Sequence, residues 1–201
     1  MRRLFVMFFL LCATSVSVAD GDVAQLHLLL SSANSLQSGF EQTVVDADGA
    51  VLQKSSGQIS LQRPNKIRWQ STEPFNYLMI SDGDTLWRYD ADLDQLNTEP
   101  FDPSLAQAPA MILGASIEQL DSNFDVAISK NGIERSFILT PKEEGGNFSQ
   151  LVLHFNQGKL IGMALVDTLE QRTDIKLIKP DYKPKFPAQH FTFQETDQGS
   201  S

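Results

Sequence analysis

The chain has 201 residues, 41% of them hydrophobic, 20% charged and 9% aromatic, and its 16 Lys and Arg against 25 Asp and Glu give a net charge of −9. That length and balance suit one globular domain, and the acidity argues against a nucleic-acid binder, which needs clustered Lys and Arg for phosphates. A single cysteine excludes a disulfide framework and a cysteine-built zinc site, and three histidines leave little material for a His-rich metal centre.

Met1-Arg2-Arg3 precedes the apolar run Leu4–Ala13, which is too short for a bilayer span of roughly 20 residues. Ser17-Val18-Ala19 has the small-x-small pattern of a secretory cleavage site, so residues 1–19 are expected to be a signal peptide removed after Ala19. Cys12 follows Leu10-Leu11, whereas a lipidated Cys wants a small residue before it. Without Arg2, Arg3 and Cys12 the exported chain would be cysteine-free, with a net charge of −11 rather than −9.

Residues 20–38 predict an amphipathic helix: Val23, Leu26, Leu29, Leu30, Ala33 and Leu36 or Gln37 recur at spacings of three and four, and Gly39 is a terminator. From Phe40 the period switches to two. Strands are expected at 39–45, 51–62, 66–70, 77–81, 85–90 and 92–98, separated by turn signals such as Asp46-Ala47-Asp48-Gly49 and Asp82-Gly83-Asp84. Residues 99–120 break the period with Pro100, Pro103 and Pro109, and Asp102-Pro103 suits a helix start. A helical insert is expected there. A second run of strands follows at 124–130, 135–141, 149–156, 159–167, 173–179 and 189–193, leaving 194–201 as a tail. The fold class is therefore α+β and mostly β, one large antiparallel sheet of about 11–12 strands, curled or closed, in a single domain over 20–201.

Several strands are apolar on both faces: Tyr77-Leu78-Met79-Ile80, Leu151-Val152-Leu153 and Leu160–Val166. Two-sided burial needs a cover on each face. Either the sheet closes on an apolar interior or something else covers part of it, and a hydrophobic ligand and ordinary core packing are both open.

Catalytic constellations do not emerge. There is no Gly-x-Ser-x-Gly elbow, and no cysteine would survive leader removal. His27, His154 and His190 have no second His at ligand spacing and read as structural or surface residues, while Asp82-Gly83-Asp84 lacks the later ligands of a calcium loop. Glu143-Glu144 and Asp92/Asp94 read as solvated loop charges, and no phosphate loop is present. The expectation is a non-enzyme with no cofactor and no metal.

Two stretches are more specific than their composition requires: Gly57-Gln58-Ile59-Ser60-Leu61-Gln62-Arg63-Pro64-Asn65-Lys66-Ile67-Arg68-Trp69 and Ile80-Ser81-Asp82-Gly83-Asp84-Thr85-Leu86-Trp87-Arg88-Tyr89. With Gly39-Phe40-Glu41-Gln42, Leu139-Thr140-Pro141-Lys142 and Phe191-Thr192-Phe193, taken in order over essentially the whole exported chain, they resemble the periplasmic outer-membrane lipoprotein carrier family, LolA.

The resemblance implies an unclosed antiparallel barrel with a helical lid over an apolar cavity that receives lipoprotein acyl chains. It implies a monomeric carrier in the periplasm of a Gram-negative bacterium. The donor would be an inner-membrane ATP-driven releasing complex and the acceptor an outer-membrane lipoprotein receptor. Arg63 would latch the lid through backbone carbonyls near Leu30, Leu113 and Gly114. Candidate cavity residues are Phe40, Ile59, Leu61, Ile67, Trp69, Leu78, Ile80, Met111, Ile112 and Leu113, each of which also fits plain core. The chain departs from the family at Ala110, where relatives often carry an aromatic, and in its short ending after Phe193. The competing readings are a periplasmic sensor domain that binds lipidated or outer-membrane proteins and, from a different class, an exported hydrolase.

Overall fold

The structure, a computed structural model, describes residues 19–102, 109–143 and 146–198, with the backbone alone at residues 19, 20, 109, 110 and 112. The expected leader before Ala19, the helix start at Pro103, Glu144, Gly145, the tail end from 199, and the side chains of Ala110 and Ile112 lie outside that description.

Helix α1 (Ala19–Ser31) leads into strands β1 (Ser35–Val45), β2 (Val51–Gln62), β3 (Lys66–Glu73), β4 (Tyr77–Asp82), β5 (Thr85–Asp90) and β6 (Gln95–Pro100). Helices α2 (Pro109–Gly114) and α3 (Ile117–Asn123) follow, then β7 (Phe124–Asn131), β8 (Glu134–Pro141), β9 (Phe148–Asn156), β10 (Lys159–Asp167) and β11 (Arg172–Asp181). All eleven strands form one antiparallel sheet in the order β6-β5-β4-β3-β2-β1-β11-β10-β9-β8-β7. Each half is a meander of hairpins, and the first strand joins the last at the centre, Phe40 opposite Leu177. Strands β6 and β7 end the sheet, so the barrel is unclosed. Between these two edges in the chain come α2, which packs against β3 and β2, and α3, which packs against β7 and α1.

The turns are built as their residues dictate. The Asp46 carboxylate accepts from the Asp48 and Ala50 amides and Gly49 sits at φ 84°, while the Asp82 carboxylate accepts from the Asp84 and Thr85 amides. At the edge strand β7, the outward Ile128 amide donates to the Asp22 carboxylate of α1 at 3.2 Å, which blunts an otherwise open backbone edge.

The helix expected over 20–38 stops at Ser31. The Ser31 and Ser32 hydroxyls donate to the His27 and Leu29 carbonyls, taking groups that a helix end leaves unpaired. Leu36, which fits the helical spacing, instead begins a period-two run: Leu36, Ser38 and Phe40 are all buried from β1. The strand expected at 189–193 does not form. The His190 and Thr192 amides donate to the Pro187 and Gln189 carbonyls in turns, so no ladder is available. Among the described residues there are eleven strands, six before the insert and five after.

One large apolar cluster fills the concave face, drawing Leu26 and Leu30 from α1, Met111 and Leu113 from α2, Leu120 from α3 and inward residues of every strand from β1 to β5 and β7 to β11. A second, smaller cluster of Leu78, Ile80 and Tyr89 lies on the convex face with Trp87, Ala91 and Phe193. Gly57, opposite Phe40 in β2, meets β3 so closely that a Cβ would lie 1.9 Å from the Gln70 carbonyl oxygen.

Gly57→Ala should therefore force β2 and β3 apart and cost about 2 kcal/mol or more. Urea unfolding checks this, and a midpoint equal to the parent's would show that the sheet absorbs the Cβ by a backbone shift.

Candidate functional site

The β2–β3 turn Arg63-Pro64-Asn65 reaches the point where the helices meet the sheet. The Arg63 guanidinium donates to three backbone carbonyls: Nη1 to Ala33 at 2.8 Å, Nη2 to Leu113 at 2.6 Å and Nε to Ala115 at 3.3 Å. The turn's backbone adds two more bonds. The Arg63 amide donates to the Asn34 carbonyl and the Asn65 amide to the Gly114 carbonyl, each at 2.8 Å. Asn65 takes φ 63°, a left-handed conformation that Asn tolerates better than most residues. One turn thus grips both the α1–β1 connection and the α2–α3 junction.

The guanidinium is desolvated while its three acceptors are neutral carbonyls. Burial pulls its pKa down to about 10, still far above neutrality, so it stays a cation. Charged donors to carbonyls make bonds stronger than neutral pairs. The acceptors lie where helices end: Leu113 is in the last turn of α2, Ala115 lies just past it, and Ala33 lies just past α1. These are the carbonyls that helices leave unpaired.

The resemblance places the acceptors near Leu30, Leu113 and Gly114. Leu113 is an acceptor, whereas the Leu30 and Gly114 carbonyls take the Ala33 and Asn65 amides, and Ala33 and Ala115 stand in their place. No side-chain signal could have found these two, since only their backbone oxygens are used.

Beneath the turn, α2 closes on β3. Gly114 meets Ile67 so tightly that a Cβ would lie 2.6 Å from the Ile67 Cδ1 and Cγ1. Met111 and Leu113, 4% and 1% exposed, project among Ile59, Leu61, Ile67, Trp69 and Phe40. The Phe40 and Trp69 rings stack across β2 with centroids 3.8 Å apart. Helix α3 is fixed by a full capping box, Ser116 Oγ accepting from the Gln119 amide and the Gln119 side chain from the Ser116 amide.

Phe40, Ile59, Leu61, Ile67, Trp69 and Met111 thus share the concave face with Leu30 and Leu113. Leu78 and Ile80 do not. They alternate with Tyr77 and Met79 along β4 and face the convex side, under Phe193, because successive strand residues point to opposite faces. The apolarity on both faces of β4 is thus covered on one side by the chain's own C-terminal segment.

His154 Nδ1 lies 3.0 Å from the Ser136 hydroxyl, with burial lowering its pKa, and burial also lowers that of His190. Among the described residues no cluster of His, Cys, Asp and Glu could hold a metal ion, and no helix is long and apolar enough to cross a membrane.

Residues 31–194 match the family model described as outer membrane lipoprotein carrier protein LolA. An outer-membrane lipoprotein carrier protein of Pseudomonas aeruginosa is 34% identical over 197 residues, covering 96% of this chain and 95% of that one. One from Legionella pneumophila is 35% identical over 194 residues, with coverages of 96% and 95%. Among solved structures, a LolA superfamily protein from Nitrosomonas europaea superposes with a TM-score of 0.53 at 13% identity, covering 89% of this chain and 99% of that one. An uncharacterized conserved protein from Thermus thermophilus gives a TM-score of 0.54 at 11% identity, with coverages of 90% and 96%.

Gly114→Val should hold α2 off Ile67 and lengthen the Asn65–Gly114 hydrogen bond. Exchange of the Asn65 amide should then rise about tenfold or more, in the manner of a local opening. Unchanged exchange would mean that Ile67 rotates aside and the closure survives.

Proposed function

Because the chain belongs to the outer-membrane lipoprotein carrier protein family LolA, we propose that it carries lipoproteins across the periplasm of a Gram-negative bacterium. Their acyl chains would be shielded against the concave apolar face. The observation that supports this reading best is the triple bond of Arg63 to carbonyls beside α1 and α2, which holds helices over an apolar surface by a contact that can be given up. In this reading Arg63 is the latch, Leu113 and the Gly114 segment are the part it holds, and Phe40, Ile59, Leu61, Ile67 and Trp69 form the surface exposed when α2 lifts with Met111 and Ile112.

The energetics require such a device. A tri-acylated anchor carries about 45 methylenes, and at about 0.8 kcal/mol each its exposure to water would cost on the order of 35 kcal/mol. A donor that spends energy meets this cost, and the family resemblance implies an inner-membrane ATP-driven releasing complex as that donor and an outer-membrane receptor as acceptor. The carrier must also release its cargo, so its affinity must stay below the ceiling of non-covalent binding. A lid that buries its own Met111 and Leu113 in the closed state achieves that. The cargo gains only the difference between its contacts with the open form and the lid's contacts with the closed one. The protein acts by binding, as a monomer and without a cofactor, and the leader 1–19 directs its export.

Arg63→Leu removes all three bonds at once. The lid should open more often, and binding of an environment-sensitive apolar dye should rise by about fivefold or more, as a shift of 1 kcal/mol or more implies. The mature parent, purified from an exporting host, should carry an acylated protein detectable by mass spectrometry. Parent-like dye binding together with parent-like lipoprotein hand-off in the variant would refute the latch.

A further inference from the structure

The segment after β11 starts at Tyr182, packed against the large apolar cluster, and ends on the convex side of β3, β4 and β5. Tyr182 Oη donates to the Leu160 carbonyl at 2.7 Å where the segment starts. Phe193 then lies against Tyr89, their centroids 5.5 Å apart, in the cluster with Leu78 and Ile80. The segment finishes in a single 3-10 turn, Glu195–Asp197, whose Asp197 carboxylate binds Arg68 of β3 through both oxygens: Nη2 to Oδ1 at 2.5 Å and Nη1 to Oδ2 at 3.4 Å. The side chains of this pair are only 18% and 11% exposed, so it is shielded from the screening that makes surface pairs worth little.

Arg68 stands between the two β3 residues that matter most on the other face. Ile67 takes Gly114 of α2, and Trp69 stacks on Phe40. Because side chains alternate along a strand, β3 is held from the concave side by the lid and from the convex side by the tail. Its neighbours reinforce the convex hold: Arg68 is opposite Ser60 of β2 and Ile80 of β4, both buried.

Building on the carrier reading, we propose that Arg68 is a positioning residue for lid closure. Gripped by Asp197, it fixes β3 so that Ile67 and Trp69 present the seat on which α2 closes. The C-terminal segment thereby sets how readily the apolar face is uncovered. It gives the short ending of this chain a task at a distance from the lid, transmitted through the thickness of one strand.

The test uses the full exported chain and Asp197→Asn, which removes the charge while keeping an oxygen for the Gln194 amide that Asp197 also receives. Hydrogen exchange by mass spectrometry should rise about fivefold in peptides covering 109–123 and stay at the parent rate in β9 and β10. Uptake of an apolar dye should rise with it. Arg68→Gln should reproduce the pattern from the other partner, which covers the case where the first variant folds poorly. In an Arg63→Leu background, where the lid is already released, Asp197→Asn should add nothing to dye uptake. Parent-like lid exchange in both variants would overturn the proposal. So would an equal rise in all strands, which marks general loosening, or an undiminished effect in the Arg63→Leu background. None of these readouts involves a lipoprotein, so failure to bind lipoprotein would count against the carrier reading alone.

Discussion

A single guanidinium shared among three backbone carbonyls organises this molecule. Helices α1 and α2 both end near the β2–β3 turn, and each leaves carbonyls that no residue of its own helix can reach. Arg63 takes one beside α1 and two beside α2. A carboxylate partner would have made a stronger grip, but carbonyl acceptors leave the cation desolvated with only dipoles to compensate, which is why burial lowers its pKa. If α2 lifted from the sheet, as the carrier proposal requires, water would take over both the carbonyls and the guanidinium. The net value of such bonds is then about 1–3 kcal/mol rather than their much larger gross strength, the range in which a closed and an open form can coexist.

The apolar contacts beneath the Arg63 turn have the same character. Met111 and Leu113 would each contribute about 2 kcal/mol by burial. The surface they cover is already complete without them, a sheet face whose strands are paired throughout and whose rings stack on one another. No ladder hydrogen bond of the sheet therefore depends on α2. Gly114 makes the fit close by having no side chain to keep α2 away from Ile67. A residue with a side chain at that position would trade a tight closed form for a looser one, and the balance with a lipid guest would move accordingly.

The elements were legible where local chemistry and periodicity agree. The strands β2, β5 and β10 run as the alternation and turn residues predict, and the insert is helical at Pro109–Gly114 and Ile117–Asn123, whereas Pro100, counted with the insert from sequence, ends the edge strand β6, where a missing amide donor is tolerated. Legibility failed where two patterns fit one residue. Leu36 satisfies both a helical stripe and a period-two run, and the Ser31 and Ser32 hydroxyls decide for an early helix end. Phe191-Thr192-Phe193 alternates like a strand, yet turn bonds engage the His190 and Thr192 amides that a ladder would use. At the site, Arg63 was marked by the resemblance of Arg-Pro-Asn to the family's motif, because an Arg before a turn reads locally as no more than a strand-end charge. Its acceptors at Ala33 and Ala115 carried no signal, because a carbonyl belongs to every residue and only the fold selects which ones face inward. The pairing of Arg68 with Asp197 lies 129 residues apart in the chain, beyond any local pattern.

Leu78 and Ile80 show how a residue can be read correctly as buried and still be assigned to the wrong face. Apolarity on both faces of β4 requires two covers, and a ligand on the concave side explains only one of them. Register decides the matter: Ile80 lies opposite Arg68 and Trp87, while Met79 lies opposite Trp69. The former set therefore belongs to the convex side and the latter to the concave one. The sheet is consequently the middle layer of three, with helices on one face and the C-terminal segment on part of the other. In such an arrangement the part of the C-terminal segment from Phe193 to Asp197 lies on the face away from the large apolar cluster. Any influence it has on the concave face must pass through strands held from both sides, and β3, with Ile67, Arg68 and Trp69 in succession, is the strand where both holds meet.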